Sequence, residues 1–458
     1  MRAYLLVLLA GSMACGSVEG GTPDASSGDD ASGTDASSLA PGEVVWVRSM
    51  SAAFALGLAA GPGGLIFTGS ITAPTDLGGG VVTPLGATDT VIGDFALADA
   101  AFVYQARHND ASGGSVFGFL QQVDSLGNPL VYGLSFGDVD LGTGHVTSGG
   151  GGNQFADGFI GRYGPGTPAW VNRIVGPTED KIVATANAPA GEVYAAGWFE
   201  QTTTWNGGNL ISNGGRDLFL AKMNTFTGVV DLTRTYGGTG RDEISGAIGD
   251  GTNLVLAGMF DDTLALGGPV QPITATGGGL DVWVAKLDAT ATPVWASHFG
   301  GTGEDRNAQL AMDAAGDIYM TGVFQNQVAF GAVNLIAMGA HDVFVVKLHG
   351  SDGSVAWALQ LGTTGDDNTG PMVVDKAGHP VVSSVLNGDA SIASFDPEHG
   401  SIRWQKMIAT SGTESVFGLS VGGTGEIFAA INLGGTFDFG KPLIGPAAPT
   451  SVVARFAP

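Results

Sequence analysis

Trp295–Asp305 reads W-A-S-H-F-G-G-T-G-E-D, Trp357–Asp367 reads W-A-L-Q-L-G-T-T-G-D-D, and Leu232–Asp242 repeats the frame as L-T-R-T-Y-G-G-T-G-R-D. These are the clearest parts of a degenerate unit, about 63 residues long, that returns along the chain. A unit of that length cannot bury its own apolar face, so copies must stack on one another, and the period constrains the architecture.

Each copy divides into four short apolar runs separated by turn residues. In the copy near Asn307 these are A-Q-L-A-M-D, D-I-Y-M-T-G-V-F, D-V-F-V-V-K-L from Asp342, and V-A-W-A-L-Q-L around Trp357. Four strands without helical periodicity suit one propeller blade. Their blurred polar–apolar alternation fits a sheet covered on both faces. First-strand segments begin near Ala53, Ser115, Lys181, Ile244, Asn307, Gly370 and Ser415. The expectation is therefore an all-β, seven-bladed β-propeller of four-stranded blades, with the sixth blade shortened.

Third strands keep the same beat at Asp89, Asp157, Asp217, Asp281 and Asp342. The chain stops after a third-strand segment, Ser451 to Phe456, while an orphan fourth strand, V-V-W-V-R-S-M, opens the repeat region. Pairing the N-terminal strand with the C-terminal blade would close the ring three-plus-one and remove two exposed sheet edges.

The combination W-x-x-x-x-G-G-T-G-x-D, a D-x-x-G-(D/N) hairpin and D-x-F-V-x-K-L resembles the bacterial β-propeller repeat known as SBBP. The resemblance covers roughly residues 43 to 458 and is closest in the third to fifth copies. It implies a fold and an extracytoplasmic setting, and brings no catalytic residues.

Composition agrees, with 77 glycines, 44% hydrophobic residues and only 13% charged. A formal charge of −25 with 18 lysines and arginines argues against nucleic acid and against adsorption to anionic headgroups. At the N-terminus, Arg2 precedes the apolar run A-Y-L-L-V-L-L-A, too short to span a bilayer, and G-S-M-A precedes Cys15, the only cysteine. This resembles a bacterial lipoprotein signal, with Ser12 standing where leucine is usual. Residues 1–14 are expected as the signal, Cys15 as the lipidated residue, 15–42 as a disordered Ser/Gly/Asp tether and 43–458 as the propeller. The alternative is an ordinary secretory signal. Both place the protein outside the cytoplasm, in the lipid-anchored case at the bacterial envelope, without an internal disulfide.

Chemical motifs are few. No H-E-x-x-H, C-x-x-C, P-loop or EF-hand loop occurs. Gly418-Leu-Ser-Val-Gly422 has the G-x-S-x-G form, but Ser420 falls inside a strand leading to a hairpin, where a nucleophile elbow needs a strand turning into a helix. Seven scattered histidines lack ligand spacing. Trp46, Trp170, Trp295, Trp357 and Trp404 share one repeat position and read as fillers between blades. Trp198 and Trp205 break that pattern in W-F-E-Q-T-T-T-W, where a loop-borne pair would offer a stacking surface for a sugar or a peptide.

Asp180, Asp242, Asp305 and Asp367 fall at one loop position of four successive copies, with Glu414 near it in the next. Set around a channel mouth, they would need hydration, hydrogen bonds or a bridging hard cation such as Ca²⁺. The competing reading has each accepting hydrogen bonds from amides of its own Gly-rich turn. The functional expectation is a membrane-anchored, monomeric binding protein with a protein or glycan partner. An extracytoplasmic lyase or hydrolase using carboxylates at the mouth, and a structural envelope component, are the alternatives.

Overall fold

The computed structural model of the chain describes residues 39–458 apart from 51–52, 78, 109–113, 150–153, 165–166, 190 and 446–448. The expected signal, Cys15 and most of the expected tether lie outside the described residues. Among the described residues every regular element is a β-strand.

The strands form because their sequences are rich in β-branched and aromatic residues and are apolar on both faces. Leu254–Phe260 (L-V-L-A-G-M-F), Ile318–Phe324 and Leu65–Ile71 are buried at every position, as strands between two layers should be. Within a repeat the four main strands pair antiparallel in chain order. The fourth repeat runs Asp242–Gly249, Leu254–Phe260, Asp281–Leu287, Pro293–Phe299, and the first, fifth and sixth repeats form four-stranded sheets in the same way. The second and third repeats are joined, because the extended strand Glu192–Trp205 reaches Trp170–Val175 and pairs Ile174 with Trp205. In the last sheet Ser451–Phe456 lies between Ile427–Asn432 and Val44–Met50, pairing Val47 with Ala454 and Met50 with Ser451.

First strands pack side by side in chain order. Ala53–Ala60 contacts Ser115–Val123, the sequence continues through Lys181–Asn187 and its successors, and Ser415–Val421 packs back against Ala53–Ala60. All seven carry a register shift against their second strands, as between Ala55 and Gly57 or Ile244 and Gly246. Such bulges bend a strand. Neighbouring backbones approach closely here: a Cβ on Gly57 would lie 2.4 Å from the Leu120 amide nitrogen, and one on Gly418 2.8 Å from that of Leu58.

The core is a series of layers between successive sheets. One layer joins Tyr194, Leu218 and Leu220 to Leu254, Leu256 and Trp283, and the next joins Val255, Val282 and Val284 to Ile318, Met320 and Phe344. The repeated tryptophan joins five of these layers, as Trp46, Trp170, Trp295, Trp357 and Trp404. Trp170, Trp295 and Trp357 donate their indole N–H to Thr225 O, Gly350 O and Pro397 O at 2.9, 3.3 and 3.1 Å, in the third-to-fourth turn of the next repeat. Each ring also covers a glycine of that turn, Gly228, Gly353 or Gly400. Where the third repeat has Leu232 instead, the facing turn carries Ala291, in the same apolar layer.

A loop-bearing face as the candidate functional site

Antiparallel pairing in chain order puts the first-to-second and third-to-fourth turns at one end of every sheet. The second-to-third and fourth-to-first connections lie at the other. The first kind are short. In several of them one aspartate closes the turn: Asp313 accepts the amides of Ala315 and Asp317 at 3.0 Å, and Asp375 those of Ala377 and His379 at 2.9 and 2.8 Å. The opposite face carries the insertions. They form small hairpins, Thr75–Asp76 with Val81–Val82, Asp138–Asp140 with His145–Thr147, Thr263–Leu264 with Ile273–Thr274 and Gln327–Phe330 with Val333–Ile336. The ribbon around Asn206–Gly207 stands with them. These insertions hold out aliphatic side chains, with Val81, Ile211 and Ile336 each about two-thirds exposed.

The periodic acids sit at this face, at the starts of first strands, and all five are buried. Their oxygens are turned to nearby amides. Donors recur four residues before the acid, at Gly238, Thr363 and Thr410 for Asp242, Asp367 and Glu414, at 2.7, 2.5 and 3.2 Å. They recur again twenty residues after it, at Glu200, Asn387 and Gly434 for Asp180, Asp367 and Glu414, at 3.1, 2.8 and 3.3 Å. Asp367 and Glu414 thereby tie their own fourth-to-first loop to the second-to-third connection of the same repeat, while Asp242 holds the first of these alone and Asp180 the second. Asp305 is the exception: the amides of Gly301 and Gln325 approach and favour its charged form, but neither carboxylate oxygen has a well-formed hydrogen bond. Among the described residues no group of three or more His, Cys, Asp or Glu is placed to hold a metal.

A second set of buried acids begins the third strands. Asp89, Asp157, Asp217, Asp281 and Asp342 accept amides of the preceding loop, such as Leu85 to Asp89 at 2.8 Å and Thr276 to Asp281 at 2.7 Å. Fourth-strand side chains complete some of them, Arg173 at 3.4 Å from Asp157 and Gln360 on Asp342. Burial pushes four acids of the two sets up: Asp217 to about 6, Asp180 and Asp242 to about 7, Asp305 to about 8. The third-strand acid of one repeat raises the first-strand acid of the next further, Asp217 acting on Asp242 and Asp281 on Asp305.

Trp198 and Trp205 are not loop residues. Glu192–Trp205 is one strand, continued through a register shift at Gln201, whose φ is 59°, into the turn at Asn206–Gly207. Both rings are buried, Trp205 edge-on to Phe219 at 4.7 Å, so neither offers a face for a sugar. Trp198 instead underlies a charge cluster that sequence reading missed. The Arg216 guanidinium lies 3.9 Å from its ring centroid. Its nitrogens reach Glu200 at 2.5 Å, Glu179 at 3.3 Å and Glu243, which also takes Arg241 at 2.6 Å. Lys181 meets Glu179 at 3.1 Å. Burial alone would lower Arg216, but Glu243 and Glu200 outweigh it and raise it. Three carboxylates meet three cations, so the cluster is a closed network across the seam of the third and fourth repeats and offers no spare base or nucleophile. Its one sequence signal was a cation directly before Asp217, where neighbouring repeats have Ala156 and Leu280. Ser420 is likewise committed, its Oγ accepting the Ala60 amide at 2.8 Å.

Solved structures similar to this chain are BamB from Moraxella catarrhalis (11% identity, 90% of this chain and 99% of that one, TM-score 0.38), the Dos1 propeller (10%, 93% and 96%, 0.43) and Sqt1 from Saccharomyces cerevisiae (10%, 91% and 99%, 0.44). No protein-family profile matches the chain, and no curated protein matches it in sequence. The chain is all-β among its described residues, in sheets whose first strands pack in chain order and return from Ser415–Val421 to Ala53–Ala60. Its identity to these structures is too low to carry a function across.

Proposed function

We propose that the protein is a lipid-anchored binding module of the bacterial envelope, built as a seven-bladed propeller of SBBP-like repeats, whose loop-bearing face recognises a protein partner. In this reading the seven groups of four main strands are the blades, and the pairing of Val44–Met50 with Ser451–Phe456 closes the ring. The observation that carries it is the asymmetry of the two faces. Insertions crowd one face and hold out Val81, Ile211 and Ile336, whereas the other is made of short turns, several closed by their own aspartates, from which Leu126 and Val229 stand out singly. Aliphatic tips suit a protein partner better than a sugar, which stacks on exposed aromatic rings.

The point of entry supports display. Gly42 donates its amide to Ala457 O at 3.0 Å, beside the start of Val44–Met50 and therefore on the short-turn side. A tether running back to a lipidated Cys15 would hold that side toward the membrane and the insertions away from it. The test is affinity capture from detergent-solubilised envelope with the full mature chain. Ile211→Asp and Ile336→Asp should lose a partner that wild type and the short-turn-side control Leu126→Asp both retain. Equal recovery by all four proteins would remove the loop-bearing face from consideration.

A further inference from the structure

In two repeats the outer edge of the fourth strand is covered by a fifth. Leu443–Ile444 lies parallel on Val44–Met50, pairing Leu443 with Val47 and Ile444 with Arg48. The far end of Glu192–Trp205 covers Trp170–Val175 through Ile174 and Val175. Both added strands come from second-to-third insertions. The sixth repeat has no insertion to supply one, because Asn387 and Gly388, with φ of 53° and 95°, turn Pro380–Leu386 directly into Asp389–Phe395. Its fourth strand, Ile402–Ile408, pairs with Asp389–Phe395 and, among the described residues, has no strand on its other side.

That strand is basic in an acidic molecule. It reads I-R-W-Q-K-M-I, two bases and no acid, in a chain of 43 acidic and 18 basic residues. Among the described residues neither Arg403 nor Lys406 forms an ion pair; Arg403 donates only to Ser394 Oγ, at 3.2 Å. Ile402 and Met407 are 48% and 40% exposed, whereas Val355–Leu361, the fourth strand of the fifth repeat, is mostly half-buried. We propose that the open edge of Ile402–Ile408 takes an extended, acidic segment of a partner protein as a fifth strand. Main-chain groups of the edge supply the pairing, Ile402 and Met407 the apolar contact, and the two bases the selection. Basic residues on an edge deter pairing with a like strand. The same charge excludes a second copy of this edge and favours an acidic one. The site is on the rim rather than on the loop-bearing face, so it stands or falls separately from the function proposed above.

The experiment uses the full mature chain and two synthetic nine-residue peptides, one alternating valine with glutamate, the other valine with lysine. The glutamate peptide should bind saturably and slow amide hydrogen exchange at residues 402–408. Its affinity should fall at least tenfold in Arg403→Glu/Lys406→Glu, which melts like the parent. No saturable binding, equal binding of the lysine peptide, or protection elsewhere would overturn the proposal. The chain's own acids Asp24, Asp29, Asp30 and Asp35 precede Gly42, which abuts the Trp404 ring of this strand. Binding that appears only when those four are changed to Asn would assign the edge to the chain itself. A dimer in sedimentation that the double variant dissolves would assign it to a second copy. Either result ends the partner proposal.

Discussion

At the residue scale the repeat is held by a tryptophan over a glycine, and that pairing makes a sharp prediction. A Cβ on Gly353, at φ +73°, would stand 2.7 Å from the Trp295 ring. Gly353→Ala therefore meets both left-handed strain and a clash, and should lower stability by roughly 2–3 kcal/mol. Gly378→Ala, at φ +89° with nothing within 4 Å, meets the strain alone and should cost about 1 kcal/mol. Denaturant midpoints of the two variants would separate clash from strain, and equal losses would mean the clasp does not matter. The buried acids predict a pH dependence. Asp180, Asp217, Asp242 and Asp305 have folded pKa values raised by burial to about 7, 6, 7 and 8, so the folded state holds these protons more tightly than the unfolded chain. Their contribution is complete below about pH 4, the unfolded value, and is lost as pH rises through 6 to 8. Melting temperature should fall between pH 5 and pH 9, and Asp305→Asn should flatten that slope. A profile that rises over this range would reverse the assignment.

At the scale of elements, the strand Ser451–Phe456 is buried along its length except at Arg455 and is hydrogen-bonded on both sides. Removing Ser451–Pro458 should abolish cooperative melting, because two apolar edges open at once, the layer between the last and first repeats loses Val453, and the layer between the sixth and last repeats loses Val452, Ala454 and Phe456. A truncated chain that melts like the parent would refute ring closure by this strand. The strands were legible because each repeat restates them. Third strands restated at Asp89, Asp157, Asp217, Asp281 and Asp342, and the W-x-x-x-x-G frame of Trp295 and Trp357, locate boundaries that one copy leaves vague, and the turn aspartates Asp313 and Asp375 announce their hairpins locally. What broke the repeat was misread for the same reason. W-F-E-Q-T-T-T-W has no counterpart in other copies, so nothing in the period signalled that a strand runs on past Gln201 to meet Trp170–Val175. The Arg216 cluster was invisible because its carboxylates lie on three different strands or loops, which only the seam between two sheets brings together. The periodic acids were located by sequence. Their partners were harder to read, since a donor twenty residues downstream depends on the second strand returning to the same end.

At the scale of the whole molecule, the one cysteine makes the proposed anchoring testable without background. Cys15→Ser should move the protein from the detergent phase to the aqueous phase, and unchanged partitioning would dispose of lipidation. Orientation follows from the fold once the anchor is granted. The chain enters on the short-turn side, and the proposed tether over residues 16–42, as the coil its Ser/Gly/Asp composition implies, would have a root-mean-square span of about 30 Å. Such a leash biases the presented face without fixing it. With Cys15 acylated, a single new thiol can be read alone: Ile336→Cys on the loop-bearing face and Leu126→Cys on the short-turn face are similarly exposed, 66% and 70% for the parent residues. A small maleimide should label both at the same rate on intact vesicles, since the spacer lets water reach either face. A maleimide carrying a large polymer should label Ile336→Cys several-fold faster, because the membrane excludes its coil from the gap beneath the ring. Equal rates with the large reagent would mean the ring tumbles freely on its leash, and display would then rest on the insertions themselves rather than on the point where the chain enters.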